Sequence, residues 1–197
     1  MKKINTNIIS IFSLGIVLFF SGFSNLSAQA KYHAQSLDVT VSGTSSLHDW
    51  DMKSSKGQFD ANISMTNEKV VFTVLSFSIP AESLKSGHGM MDKNTYKALK
   101  TSVNPNISFV LSSGNVTALG SNNYLLKGMG KLTISGTTLL TDLEVKMKYN
   151  PADKSFSCTG IKKFKMSEYG VKPPTVMMGT IKTGDAISIA YNLTIKS

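Results

Sequence analysis

The sequence predicts an all-β protein, an antiparallel barrel or sandwich of about eight or nine strands with one short helix. Three observations predict it. Apolar and polar residues alternate with a period of two through most of the chain beyond residue 30. Turn-forming residues interrupt that alternation at short intervals. A single stretch, residues 93–100, reads as a helix. Half-buried strands at this spacing belong to closed or stacked antiparallel sheets.

The first thirty residues stand apart. Lys2 and Lys3 precede an apolar run over residues 8–20, and small and polar residues follow up to Ala28-Gln29-Ala30. A basic start, a short apolar stretch and an A-x-A site describe a secretory signal peptide. The run is short for a membrane span and is broken by Ser10, Ser13 and Gly15. The expected organisation is a signal peptide over 1–30 and one barrel domain over 31–197. The expected location is periplasmic or secreted, after cleavage.

The strands follow in order. Leu37, Val39 and Val41 alternate with Asp38, Thr40 and Ser42. Phe59, Ala61, Ile63 and Met65 alternate with Asp60, Asn62 and Ser64. Residues 70–79 are apolar on both faces, as expected of a strand covered on two sides. Ile107, Phe109 and Leu111 begin another strand. Leu139, Leu143, Val145, Met147 and Tyr149 oppose Asp142, Glu144, Lys146 and Lys148. Ile187, Ile189, Tyr191, Leu193 and Ile195 close the chain. Turns are marked by Gly43, Lys56-Gly57, residues 120–123, Ser135-Gly136, residues 150–153 and residues 183–185. Asp92 is placed to cap the helix, with Met91 and Tyr96 as a hydrophobic staple. Pro105 stops the helix from entering the next strand.

Composition excludes several functions. All 21 basic residues are Lys, against 12 acidic residues and a net charge of +9. Two lysines and no acids lie in residues 1–30, so the remaining chain of about 167 residues carries +7. Without Arg there is no bidentate fork for guanine edges or phosphates, so no nucleic-acid partner is expected. The single Cys158 allows no internal disulfide and, alternating with Phe156, reads as a small buried hydrophobe. His33, His48 and His88 form no metal-ligand spacing, so no metal is expected. Ser46, His48 and Asp49 are close in sequence, but in a strand Asp49 points away from Ser46 and His48. There is no G-x-S-x-G elbow, and no enzyme is expected.

The inward positions carry large, adaptable side chains. Trp50, Phe59, Phe72, Phe77, Phe109, Tyr124, Met147, Phe156, Phe164 and Tyr191 are the candidate ligand-binding residues. A barrel of about eight strands either packs itself solid or holds one small apolar ligand, and composition does not decide between these. Two polar residues are candidates for a ligand's head group. His48 shares a face with Trp50, and Lys162 shares one with Phe164 and Met166. Pro173-Pro174 holds a loop extended, and Met177-Met178 is placed to act as an apolar lid.

The order and spacing of several stretches resemble the YceI-like family of exported lipid-binding proteins. They are residues 41–61 (VSGTSSLHDWDMKSSKGQFDA), 83–99 (SLKSGHGMMDKNTYKAL), 105–109, 130–138 (GKLTISGTT) and 164–193. The resemblance implies a lipocalin-like extended antiparallel β-barrel whose interior holds a long apolar chain, a polyisoprenoid or isoprenoid quinone. No cofactor other than such a bound lipid is implied, and a homodimer stays open. The alternative is a ligand-free structural or stress-related interaction barrel of the cell envelope.

Overall fold

The structure, a computed structural model, describes residues 29–66 and 69–197, with all side chains in that range except those of Val176 and Met177. The expected signal peptide therefore lies almost wholly outside the described residues. Its last two residues, Gln29 and Ala30, already belong to the first strand.

The strands are β1 (Gln29–Ser45), β2 (Trp50–Ser54), β3 (Gln58–Thr66), β4 (Lys69–Pro80), β5 (Asn106–Gly120), β6 (Asn123–Ile134), β7 (Thr137–Asn150), β8 (Ser155–Lys165), β9 (Thr175–Val176) and β10 (Ile181–Lys196). The helix is α1 (Gly89–Leu99). Strand β1 closes the sheet. One edge pairs with β10 over residues 33–45, and the other pairs first with β3 and then with β2. Eight strands thus form a closed antiparallel barrel in the order β1, β3, β4, β5, β6, β7, β8, β10. The short β2 continues the line of β3 along β1, and the two-residue β9 adds to β10.

Strand phase sends the apolar residues inward. On β7, Val145 and Met147 are buried while Asp142, Glu144, Lys146 and Lys148 face out. One end of the barrel is filled by aromatics. Phe156 is fully buried, with ring centroids 5.6 Å from Tyr32, 6.1 Å from Tyr124 and 4.8 Å from Tyr149. Edge-to-face and tilted contacts of this kind stabilise beyond the area they bury. The other end is covered by α1 and by the segment between β8 and β10.

Three local expectations are corrected. Strand β4 is not covered on two sides, because Val71 and Val74 are exposed. A bulge explains its sequence: Asn62 pairs with Val74 and Ile63 with Phe72, leaving Thr73 unpaired. The extra residue switches the inward phase from Val70 and Phe72 to Leu75, Phe77 and Ile79, and the run looks apolar throughout. The helix begins at Gly89 after His88, not at Asp92. Asp92 lies inside it and accepts hydrogen bonds from Ser86 N (2.8 Å) and Ser86 Oγ (2.7 Å). Those bonds hold its carboxyl below the usual carboxylate range. Met91 and Tyr96 form no staple, because with the helix starting at Gly89 both lie inside it; the Tyr96 hydroxyl shares its proton between the Glu82 and Leu84 carbonyls. Finally, residues 46–49 form a turn instead of a strand, held by Ser45 Oγ accepting from Leu47 N and His48 N.

A two-chambered apolar interior as the candidate functional site

Beyond the aromatic end the barrel is hollow. An inner chamber of about 140 Å³ lies at mid-barrel, and an outer one of about 480 Å³ opens toward α1. Val41, Ile107 and Ile189 border both, so the two are adjacent and share one layer of side chains. Their combined size falls in the range of small-molecule pockets.

The inner chamber is walled by Phe59, Phe72, Phe77, Phe109, Met147 and Tyr191, together with aliphatic side chains. The outer chamber takes Trp50 and Phe164, with α1 as one wall and Met166, Tyr169 and Pro174 as another. Eight of the ten expected lining residues therefore border the hollow. Tyr124 and Phe156 do not, since both belong to the aromatic end. Strand phase places a residue inside or outside; it does not say how far along the axis the residue lies.

Several wall residues lie outside the ten expected ones. Leu75, Ile79, Leu143 and Cys158 border the inner chamber, and Met90, Met91, Ala98 and Leu99 of α1 border the outer one. The strand residues were legible by the same alternation, but weight on aromatics and Met hid the aliphatics. The α1 residues had no such signal, because the helix shows its apolar side only against this mouth. The expected lid is also corrected. Met178 points fully into solvent at φ 54° and borders neither chamber, and the Met177 side chain lies outside the described set.

The polar groups are few. His48 borders the outer chamber, and its Nδ1–H donates to the Asp49 carbonyl at 2.6 Å. Ser46 Oγ accepts from Lys182 N at 3.1 Å. Ser46, His48 and Asp49 therefore form no hydrogen-bonded relay. Burial pushes the Cys158 thiol up to about 12, so it stays protonated and inert. Among the described residues no group of His, Cys, Asp and Glu is arranged to hold a metal ion. Also among them, no helix is long and apolar enough to cross a membrane.

The barrel wall has a discontinuity beside the inner chamber. Strands β7 and β8 pair only from Lys146 and Thr159 to Asn150 and Ser155. Above that point Tyr191, on β10, passes over Gly160 and donates its hydroxyl to the Glu144 carbonyl at 2.8 Å. A side chain replaces the strand ladder there. Lys162 faces inward on β8 beside Phe164, yet its Nζ turns back to Asp142 Oδ1 on β7, 2.5 Å away. That bond holds the Asp142 carboxyl below its usual range.

A closed antiparallel barrel with an apolar hollow open at one end is the architecture of a small-ligand binding protein rather than of a solid structural core. The family of YceI-like domains matches residues 37–195, and the chain belongs to that family. Solved structures show the same fold. BcnA of Burkholderia cenocepacia is 21% identical, with a TM-score of 0.58 over 79% of this chain and 95% of that one. A polyisoprenoid binding domain from Saccharophagus degradans, implicated in plant cell wall breakdown, is 10% identical, with a TM-score of 0.59 over 84% and 98%. A Campylobacter jejuni YCEI protein is 17% identical, with a TM-score of 0.50 over 71% and 82%. No curated protein sequence matches the chain.

Proposed function

We infer that the protein is an exported binding protein that holds one long, linear apolar lipid, a polyisoprenoid or isoprenoid quinone, inside its barrel. The observation that carries this reading is the pair of adjacent apolar chambers, the outer one open beside α1. A narrow inner space in line with a wider mouth, divided from it only by the side chains of Val41, Ile107 and Ile189, suits a flexible chain better than a compact ring. Each methylene moved from water into such a wall stabilises the complex by roughly 0.8 kcal/mol. Large ligands retain about 0.3 kcal/mol per heavy atom overall, so a chain of some 30 carbons would bind tightly. Met90, Met91, Met147 and Met166 adapt to an irregular chain. The polyisoprenoid binding named for the Saccharophagus degradans domain supports the choice of lipid. The N-terminal pattern of residues 1–30 supports export.

The test is lipid extraction and mass spectrometry of protein purified from its native compartment. A stoichiometric prenyl lipid is the expected result. Repeated native mass spectra of ligand-free protein, together with a stoichiometric protein partner, would instead establish a structural interaction barrel.

A further inference from the structure

The gap between β7 and β8 is more than a flaw in the ladder. Thr141, Asp142 and Leu143 on one side and Lys162 on the other border the inner chamber. Asp142 points outward by alternation and is 75% exposed, so the chamber reaches the outer surface at this window. Beyond it, toward the mouth, the turn after β8 closes the wall, with Gly170 set against Thr137. On its other side the Tyr191–Glu144 hydrogen bond closes it.

Charge at the window is specific. Lys162 is the only cation among the residues bordering the inner chamber, and its side chain is only 22% exposed. Its aliphatic stem lines the chamber while its ammonium reaches the window, as long basic side chains do at apolar boundaries. Its partner Asp142 is a 75% exposed carboxylate on the outer face, so it can turn to water when another anion takes its place at Lys162. Glu144, the other acid beside the window, is already paired with Lys127 at 3.2 Å. The outer faces of the same strands carry exposed Leu140 and Ile161. A polar head emerging here would leave apolar surface on either side for the start of a chain.

We propose that this window is the head-group subsite, and that the preferred lipid carries an anionic head group, a phosphate or carboxylate, which displaces Asp142 from Lys162. The proposal rests on the apolar-chain reading above and specifies its polar end. The chain runs from the window through the inner chamber, past Val41, Ile107 and Ile189, into the outer chamber. A neutral head group would leave Lys162 paired with Asp142 and would gain nothing at the window.

Farnesyl phosphate and farnesol share one chain and differ only in the head group, and calorimetric titration of both into the purified protein tests the proposal. Farnesyl phosphate should bind about tenfold tighter than farnesol, because a phosphate monoester brings up to two charges to Lys162 where the Asp142 carboxylate it displaces brings one. Lys162→Met, which keeps an apolar stem in the chamber, should abolish that preference by bringing farnesyl phosphate down to the affinity of farnesol for the same variant. Asp142→Asn, which removes the competing charge, should tighten farnesyl phosphate alone. Equal binding of the two ligands, or a preference that survives Lys162→Met, overturns the head-group subsite while leaving the apolar-chain reading intact. Inorganic phosphate binding as tightly as farnesyl phosphate would overturn it too, by showing a free-anion site. If neither farnesyl compound binds, the apolar-chain reading itself falls.

Discussion

The Tyr191 hydroxyl lies over the bare Cα of Gly160 and bonds the Glu144 carbonyl on the next strand but one. A Cβ on Gly160 would overlap Tyr191 Oη, its ring carbon Cζ and the Glu144 carbonyl together. The glycine is therefore required by close approach and not by a turn. Through this contact β10 reaches past β8 to β7, and the two strands between which it reaches stop pairing at that level.

Gly160→Ala should destabilise the protein by about 1–3 kcal/mol, the usual cost of forcing a group into a filled space. Urea denaturation measures it. In the Gly160→Ala/Tyr191→Ala double variant the clash with the tyrosine is gone and only the Glu144 carbonyl still crowds the new methyl, so the combined loss should be smaller than the sum of the single losses. Strict additivity would show that the two side chains do not share the space.

Tyr191→Phe keeps the ring and removes only the hydrogen bond. It should cost about 1 kcal/mol, because the Glu144 carbonyl loses its donor. Amide exchange should quicken on both sides of the window and leave the aromatic end around Phe156 unchanged.

Trp50 is the only tryptophan, borders the outer chamber, and donates its Nε1–H to the Thr44 carbonyl at 3.0 Å. Its emission therefore reports on this chamber alone. Titration with a long-chain isoprenoid should shift the emission to shorter wavelength as the apolar chain displaces water. An unchanged spectrum at saturating ligand would place the chain elsewhere.

The two chambers can be blocked separately. Leu143→Trp fills the inner space and Ala98→Trp narrows the outer one. Each should weaken binding of a long chain about tenfold or more, through roughly 1.4 kcal/mol of lost contact. A short chain held only in the inner chamber should be sensitive to Leu143→Trp and indifferent to Ala98→Trp. Displacement of a fluorescent fatty chain by ligands of graded length measures both.

Cys158 gives a pH dependence of known sign. Its thiol titrates at about 12 in the folded barrel, against 9.0 ordinarily, because burial disfavours the thiolate. Its contribution to stability is complete below pH 9 and is lost as pH rises toward 12, since only the unfolded chain releases the proton. Stability followed by urea midpoint should fall from pH 9 upward. In Cys158→Ala the onset should move up toward the range where tyrosines titrate.

Much of the fold was legible because alternation is a local property. Each strand shows its inward set directly, as Leu193 and Ile195 or Val145 and Met147 do, and inwardness is most of what a barrel asks of its residues. The bulge at Thr73 was illegible for the same reason. One inserted residue makes two opposite phases run together, and only pairing with β3 reveals where the phase changes. The start of α1 is not visible in the spacing, because Asp92 sits inside the helix and reaches back to Ser86 in the preceding loop, a contact that spacing alone does not single out.

By itself, the sequence determined that the chain is all-β, which residues face inward, that its cations are lysines, and that Lys162 lies on the apolar side of its strand. Tertiary structure decided the rest. It separated Phe156 and Tyr124, packed at the filled end, from Phe109 and Tyr191 at the hollow. It also made α1 a wall of the mouth and opened a window at Asp142 and Lys162. These depend on the register and stagger by which distant strands close into a ring, and so on where each residue falls along the barrel axis. Period-two alternation carries no information about that height, because every second residue looks the same wherever along the axis it stands.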